Sequence, residues 1–223
     1  MYKDSLLNCN ISNKSPKWGA IDLLMWKVVP EKLGGGINYI QNYKNAWIIH
    51  NKDTIKNAAI RYRLPIELLV GVCWIEVGGD PNFIDRMAFE VRSLDWSGPD
   101  YIDKHFTVTR PPEKTSFGFV SMQLQTAAKT LGLNLKHMSS SDIRILTHCL
   151  EKDVYNINLV AEHLRQLADF DKLLVTVKME DIKIIGARYN RGMTPTLDEI
   201  KQNTSYGDFI VRHWQQFSNL IRQ

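Results

Sequence analysis

The chain has 223 residues, of which 44% are hydrophobic and 23% charged, the balance of a soluble globular domain with a sizeable core. No apolar run reaches the length of a membrane-spanning helix, so no membrane span is expected. Three cysteines, Cys9, Cys73 and Cys149, are an odd number with no metal-ligand spacing, which speaks against a disulfide scaffold; Cys73, inside an apolar run, reads as a small core residue. The net charge of +4 leans toward a polyanionic partner, nucleic acid or the bacterial wall. No block of Lys and Arg with interleaved aromatics marks a nucleic-acid groove, so nucleic acid is not the expected partner. The six histidines are scattered, none at a His-x-x-x-His spacing, and neither a metal nor a cofactor is expected.

Residues 1–50 are irregular, punctuated by Ser15-Pro16, Pro30 and Gly34-Gly35-Gly36. They read as an N-terminal extension with one or two short helices, packed on the body through Trp18, Trp26 and Trp47. Residues 51–223 read as the main domain. The first thirteen residues lack a basic stretch followed by an apolar run. A protein acting on the wall would then be made in the cytoplasm and delivered to the periplasm or wall by another route.

From Asn51 the period becomes helical: Ile55, Ala58, Ala59 and Tyr62 share a face. Pro65 opens the next helix, and residues 66–77 are apolar on nearly every side, the mark of a buried central helix. Gly78-Gly79-Asp80-Pro81 stops it. Residues 82–115 have no clean period and read as a long insertion, with a short strand at 106–109. After Gly118 the helices resume: a short one ended by Gly132, one capped by Ser139 and Asp142, one carrying Ile157, Val160, Ala161, Leu164, Leu167 and Ala168, and one closed by Gly192. A last helix is expected over residues 206–221, with His213 on its apolar stripe as a satisfied core histidine. The fold class is mainly α, with a small irregular or short-β insertion.

Glu76 is out of place. It ends a helix otherwise built for burial, and carboxylates are seldom buried alone. Burial and the negative end of the helix both favour its protonated form. An acid that stays protonated near neutral pH is what glycoside cleavage needs, because the leaving oxygen must receive a proton. The plainer reading is a Glu marking the last exposed turn before Gly78.

Four blocks in order bear on that choice. Leu64-Pro65-Ile66-Glu67-Leu68-Leu69-Val70-Gly71-Val72-Cys73-Trp74-Ile75-Glu76 resembles the catalytic helix of the goose-type lysozyme and soluble lytic transglycosylase superfamily. Ser116-Phe117-Gly118-Phe119-Val120-Ser121-Met122-Gln123-Leu124-Gln125-Thr126-Ala127 resembles its Gly-x-x-Gln loop and following helix. Asn156-Ile157 with Leu164 and Leu167, and Ala187-Arg188-Tyr189-Asn190-Arg191-Gly192, resemble its remaining two blocks. The resemblance covers residues 51–192 and implies a lysozyme-like helical domain that cleaves the glycan strands of peptidoglycan at the β-1,4 bond, with Glu76 as the acid.

The resemblance further implies that Tyr189 hydrogen-bonds Glu76 and that Asn190 helps hold the sugar. Arg191 could meet a substrate carboxylate or lie solvated on the surface. Ser116 and Gly118 would line the cleft, glycine letting backbone approach the substrate. Here the chain departs from the pattern: anchored on Gly118, Ser121 stands where the family has Gln, while Gln123 is a substitute under another alignment. An inverting lysozyme needs a second carboxylate ~6.5–9.5 Å from the acid. Of the carboxylates in residues 80–115, Asp85 and Asp95 are the candidates. A lytic transglycosylase needs none, since one Glu serves as acid and then base. Two settings suit such an enzyme: an antibacterial effector carried by a contact-dependent secretion machine and met by an immunity protein, or a phage lysis enzyme. The competing reading is a non-catalytic wall-binding or protein-interaction module on the same fold, for which Ser121 is the argument.

Overall fold

The computed structural model describes Cys9 and residues 15–78, 116–173 and 178–223. Asp85, Asp95 and the strand expected at 106–109 lie outside the described residues. What is described is mainly helical, as the periodicity predicts. The helices are α1 (Ala20–Lys27), α2 (Gly36–His50), α3 (Lys52–Arg61), α4 (Ile66–Glu76), α5 (Leu124–Thr130), α6 (Ser140–Leu150), α7 (Asp153–Phe170), α8 (Met179–Arg191), α9 (Leu197–Gln202), α10 (Ser205–Arg212) and α11 (Trp214–Arg222). Strands β1 (Ser116–Phe117) and β2 (Met122–Gln123) pair antiparallel, Ser116 opposite Gln123 and Phe117 opposite Met122.

The chain divides into two compact units, the first made of the described residues up to Gln41 and from Gly78 to Asn156, the second of Asn42–Val77 and Ile157–Gln223. The boundary between the two units falls between residues 41 and 42, inside the first fifty residues. Trp18 packs on Trp26 and Tyr39 within the first unit, whereas Trp47, fully buried on α2, belongs to the second.

In the first unit, Gly118 turns β1 into β2 with φ of 78°, and a Cβ there would stand 2.2 Å from the Leu150 carbonyl oxygen and 2.9 Å from the Asn156 amide. Asn156, at the start of α7, accepts the Val120 N–H at 3.0 Å. The close approach that demands glycine is thus to the protein's own chain. Helix α6 begins where the Ser139 hydroxyl accepts the Asp142 N–H and the Asp142 carboxylate accepts the Ser139 N–H, each at 3.1 Å. Ser139→Ala removes half of this reciprocal cap and is expected to cost about 1 kcal/mol in urea unfolding; an unchanged midpoint would mean the cap contributes nothing.

Cys9 and Cys149 form a disulfide in the first unit, bridging 140 residues of sequence. This corrects the expectation drawn from the odd cysteine count: three cysteines leave one over, and that one is Cys73, buried on α4.

In the second unit, every residue of α4 from Leu68 to Trp74 is buried, so the helix has no solvent face to pattern. It is packed by α3, α8, α10 and α11. The turn after α8 is held by Arg188, almost wholly buried, which grips Asp171 through Nε at 2.7 Å and Nη2 at 2.8 Å and donates through Nη1 to the Gly192 and Pro195 carbonyls. The last helix is broken where one was expected whole. His213 leaves helical geometry (φ −99°, ψ 13°), with its ring stacked 4.0 Å from Phe209 and Nδ1 2.9 Å from the Phe209 carbonyl. Side-chain periodicity persists through a one-residue break because it counts side chains, not backbone bonds.

Candidate active site

The site begins with the end of α4. The backbone stops being helical at Val77 (φ −67°, ψ 135°), which leaves Trp74, Ile75 and Glu76 as its last turn. Glu76 is half-buried, and Tyr206 donates its hydroxyl to Glu76 Oε1 at 2.8 Å. Tyr206 is the second residue of α10, and its neighbour Gly207 lies against Gly186 and the Lys183 backbone of α8. That crossing brings Tyr206 beside Tyr189, ring centroids 5.9 Å apart, with His163 edge-on to Tyr189 at 6.0 Å.

Lys44 of α2 reaches the same helix end. Its Nζ donates to the Trp74 and Ile75 carbonyls, both at 2.8 Å, and sits 5.1 Å from the Trp74 ring centroid. Asn45 Oδ1 accepts the Trp74 indole N–H at 2.8 Å.

The electrostatics follow from burial. Glu76 is raised above its ordinary 4.5 because burial penalises the carboxylate, while the Tyr206 hydroxyl and the Lys44 charge pull the other way. Burial likewise lowers Lys44 to about 8, against the opposing pull of Glu76. Tyr189 and Tyr206 both stand well above the ordinary tyrosine value, first through burial and then through the Glu76 charge. Tyr206 therefore keeps its proton across the working range and remains a donor to Glu76. Tyr206→Phe removes that donor and is expected to raise the Glu76 midpoint further in an NMR carboxyl titration; a midpoint that stays or falls would refute the bond.

A cavity of about 310 Å³ opens at this helix end, lined by Trp74, Ile75, Asn190, Ser205, Tyr206 and Phe209. Trp74 and Phe209 stack within 24° of parallel at 5.8 Å, giving the cavity an aromatic wall beside the Asn190 amide and the Ser205 hydroxyl. Apolar faces with a few polar groups are the lining of a small-molecule site.

Of the residues singled out from the sequence, Glu76, Tyr189 and Asn190 come together here. The tyrosine donating to Glu76 is Tyr206, with Tyr189 packed against it, which corrects the hydrogen bond expected of Tyr189. Arg191 spends Nη1 on the Glu199 and Asn203 carbonyls, 2.9 and 3.3 Å away, and is not among the residues lining the cavity. Ser116, Gly118, Ser121 and Gln123 belong to the hairpin of the first unit: Gly118 is buried, Ser116 half-buried, and Ser121 (φ 38°) and Gln123 are exposed. Sequence reasoning missed Tyr206, counted on an apolar stripe, and Lys44, set in the supposed extension. Among the described residues, no group of His, Cys, Asp and Glu is arranged to hold a metal ion.

The structure thus defines a mainly helical protein with a half-buried acid at a helix end and a small aromatic-walled cavity lined by the tyrosine that donates to it. No protein-family model, curated protein or solved structure matches the chain at significance.

Proposed function

We propose that this protein cleaves the glycan strands of peptidoglycan, with Glu76 as general acid on a lysozyme-like helical domain. The observation that carries the reading is a carboxyl group raised by burial and hydrogen-bonded by Tyr206, a residue that also lines a cavity with aromatic walls and an amide. The resemblance of the four sequence blocks supports the choice of substrate. Protonated Glu76 gives its proton to the glycosidic oxygen as the bond breaks. The Tyr206 hydroxyl then steadies the carboxylate so formed. That carboxylate takes a proton from whichever hydroxyl attacks the sugar: the substrate's own C6 hydroxyl in a transglycosylase, or water in a lysozyme. The Cys9–Cys149 disulfide supports action in an oxidising compartment such as the periplasm.

The test is incubation of the purified chain with bacterial sacculi and mass spectrometry of what is released. Muropeptides with anhydro ends establish a transglycosylase, and reducing ends a lysozyme. A protein that binds sacculi and releases nothing is a wall-binding module, and the proposal fails.

A further inference from the structure

Helix α4 ends with carbonyls that no residue of its own last turn can cap, because that turn holds no basic side chain. The cap comes from Lys44, thirty residues before Trp74, a buried residue whose ammonium is shared between the last two carbonyls before Glu76. Burying an ammonium is an expensive way to satisfy two carbonyls, which water or an asparagine could also do. Next to Lys44, Asn45 fixes the Trp74 indole, so that one turn of α2 grips both the ring and the backbone leading into the acid.

We propose that Lys44 is a positioning residue of the Glu76 site, which locks the last turn of α4 in place and sets a positive charge at the helix end that carries the carboxyl group. This rests on the reading of Glu76 as a proton donor. An acid that must lose its proton and then recover it needs both states within reach, and burial alone favours only the neutral one. The lysine charge is a counterweight, added to the larger one of the Tyr206 hydrogen bond. Tyr206 of α10 and Tyr189 of α8 are titratable groups that also feel the Glu76 charge, with Cys73 beside both tyrosines. The buried faces of α3 (Ile55, Ala58, Ala59) and α11 (Phe217, Ser218, Leu220, Ile221) bring no charge.

The experiment is a pair of NMR titrations on the full chain. In Lys44→Met the Glu76 carboxyl midpoint, assigned with Glu76→Gln, is expected to move up by about one pH unit, and Lys44→Arg to restore most of it. In Glu76→Gln the Lys44 ammonium midpoint is expected to move down, since the coupling is reciprocal. This second titration needs no lysine variant to fold. Midpoints that stay put in both overturn the inference, as does a Glu76 midpoint that falls in Lys44→Met. Release from sacculi is followed in parallel. If wild type releases fragments and the midpoints do not move, the Lys44 inference alone fails. If wild type releases nothing, the cleavage reading fails, and the titrations still decide whether Lys44 governs the Glu76 proton.

Discussion

Under the proposed cleavage, Glu76→Gln is expected to lower muropeptide release by about 10³-fold, the contribution of a positioned general acid, and, whatever the activity, to leave the protein at least as stable as wild type at pH 7. The two halves follow from one fact. The folded protein holds the Glu76 carboxyl above its unfolded value of 4.5. Below that value both states carry the proton and the residue adds no pH dependence. As pH rises through the window between the unfolded and the raised folded value, the unfolded chain ionises first, so stability falls. Glutamine never ionises and escapes that loss. Its side-chain oxygen still accepts the Tyr206 hydroxyl, and Lys44 keeps its two carbonyls. Thermal unfolding of both proteins from pH 4 to 8 checks this: the wild-type midpoint should decline relative to the variant as pH rises. A glutamine variant less stable throughout would make Glu76 a structural acceptor, the plainer reading of the sequence.

That plainer reading was hard to dismiss from the sequence because only part of the site is local. The course of α4 was legible, since residues 68–74 are apolar all round and buried all round. The Ser139 cap and the Gly192 stop were legible because capping chemistry is written within three or four residues. Glu76 stood out as a charge against that apolar run. Its partners did not. Tyr206 lies 130 residues away on a helix whose period placed it among core aromatics, and only the crossing of α8 and α10 turns its hydroxyl onto Glu76. Lys44 sits among polar residues in an irregular segment, where a lysine reads as solvated. Its partners are backbone carbonyls, which leave no mark in side-chain patterns. The Cys9–Cys149 pairing, 140 residues apart, has no spacing signal at all.

The crossing of α8 and α10 is where fold and site meet, and Gly207→Ala tests it. Helix propensity alone predicts a gain of about 1 kcal/mol, because alanine is the better helix former and no unusual backbone angle calls for glycine at this position. Packing predicts the opposite. A Cβ on residue 207 would stand 2.2 Å from the Lys183 carbonyl oxygen and 2.4 Å from its Cα, and the facing residue Gly186 is itself within 2.7 Å of Gly207 by the same measure. Those are backbone atoms, so relief requires α10 to move off α8, and overpacking of this kind costs about 3 kcal/mol. The packing effect therefore outweighs propensity, and a net loss of about 2 kcal/mol is expected in urea unfolding. The same movement carries Tyr206, the adjacent residue, away from Glu76. Under the proposed cleavage, a displacement of about 1 Å at the residue that holds the acid lowers rate by about 10²-fold, so release from sacculi should fall far more than the unfolded fraction explains. Gly207→Ala with wild-type stability would show that the two helices do not approach this closely. Lost stability with full activity in the folded fraction would show that Tyr206 is not held by this crossing.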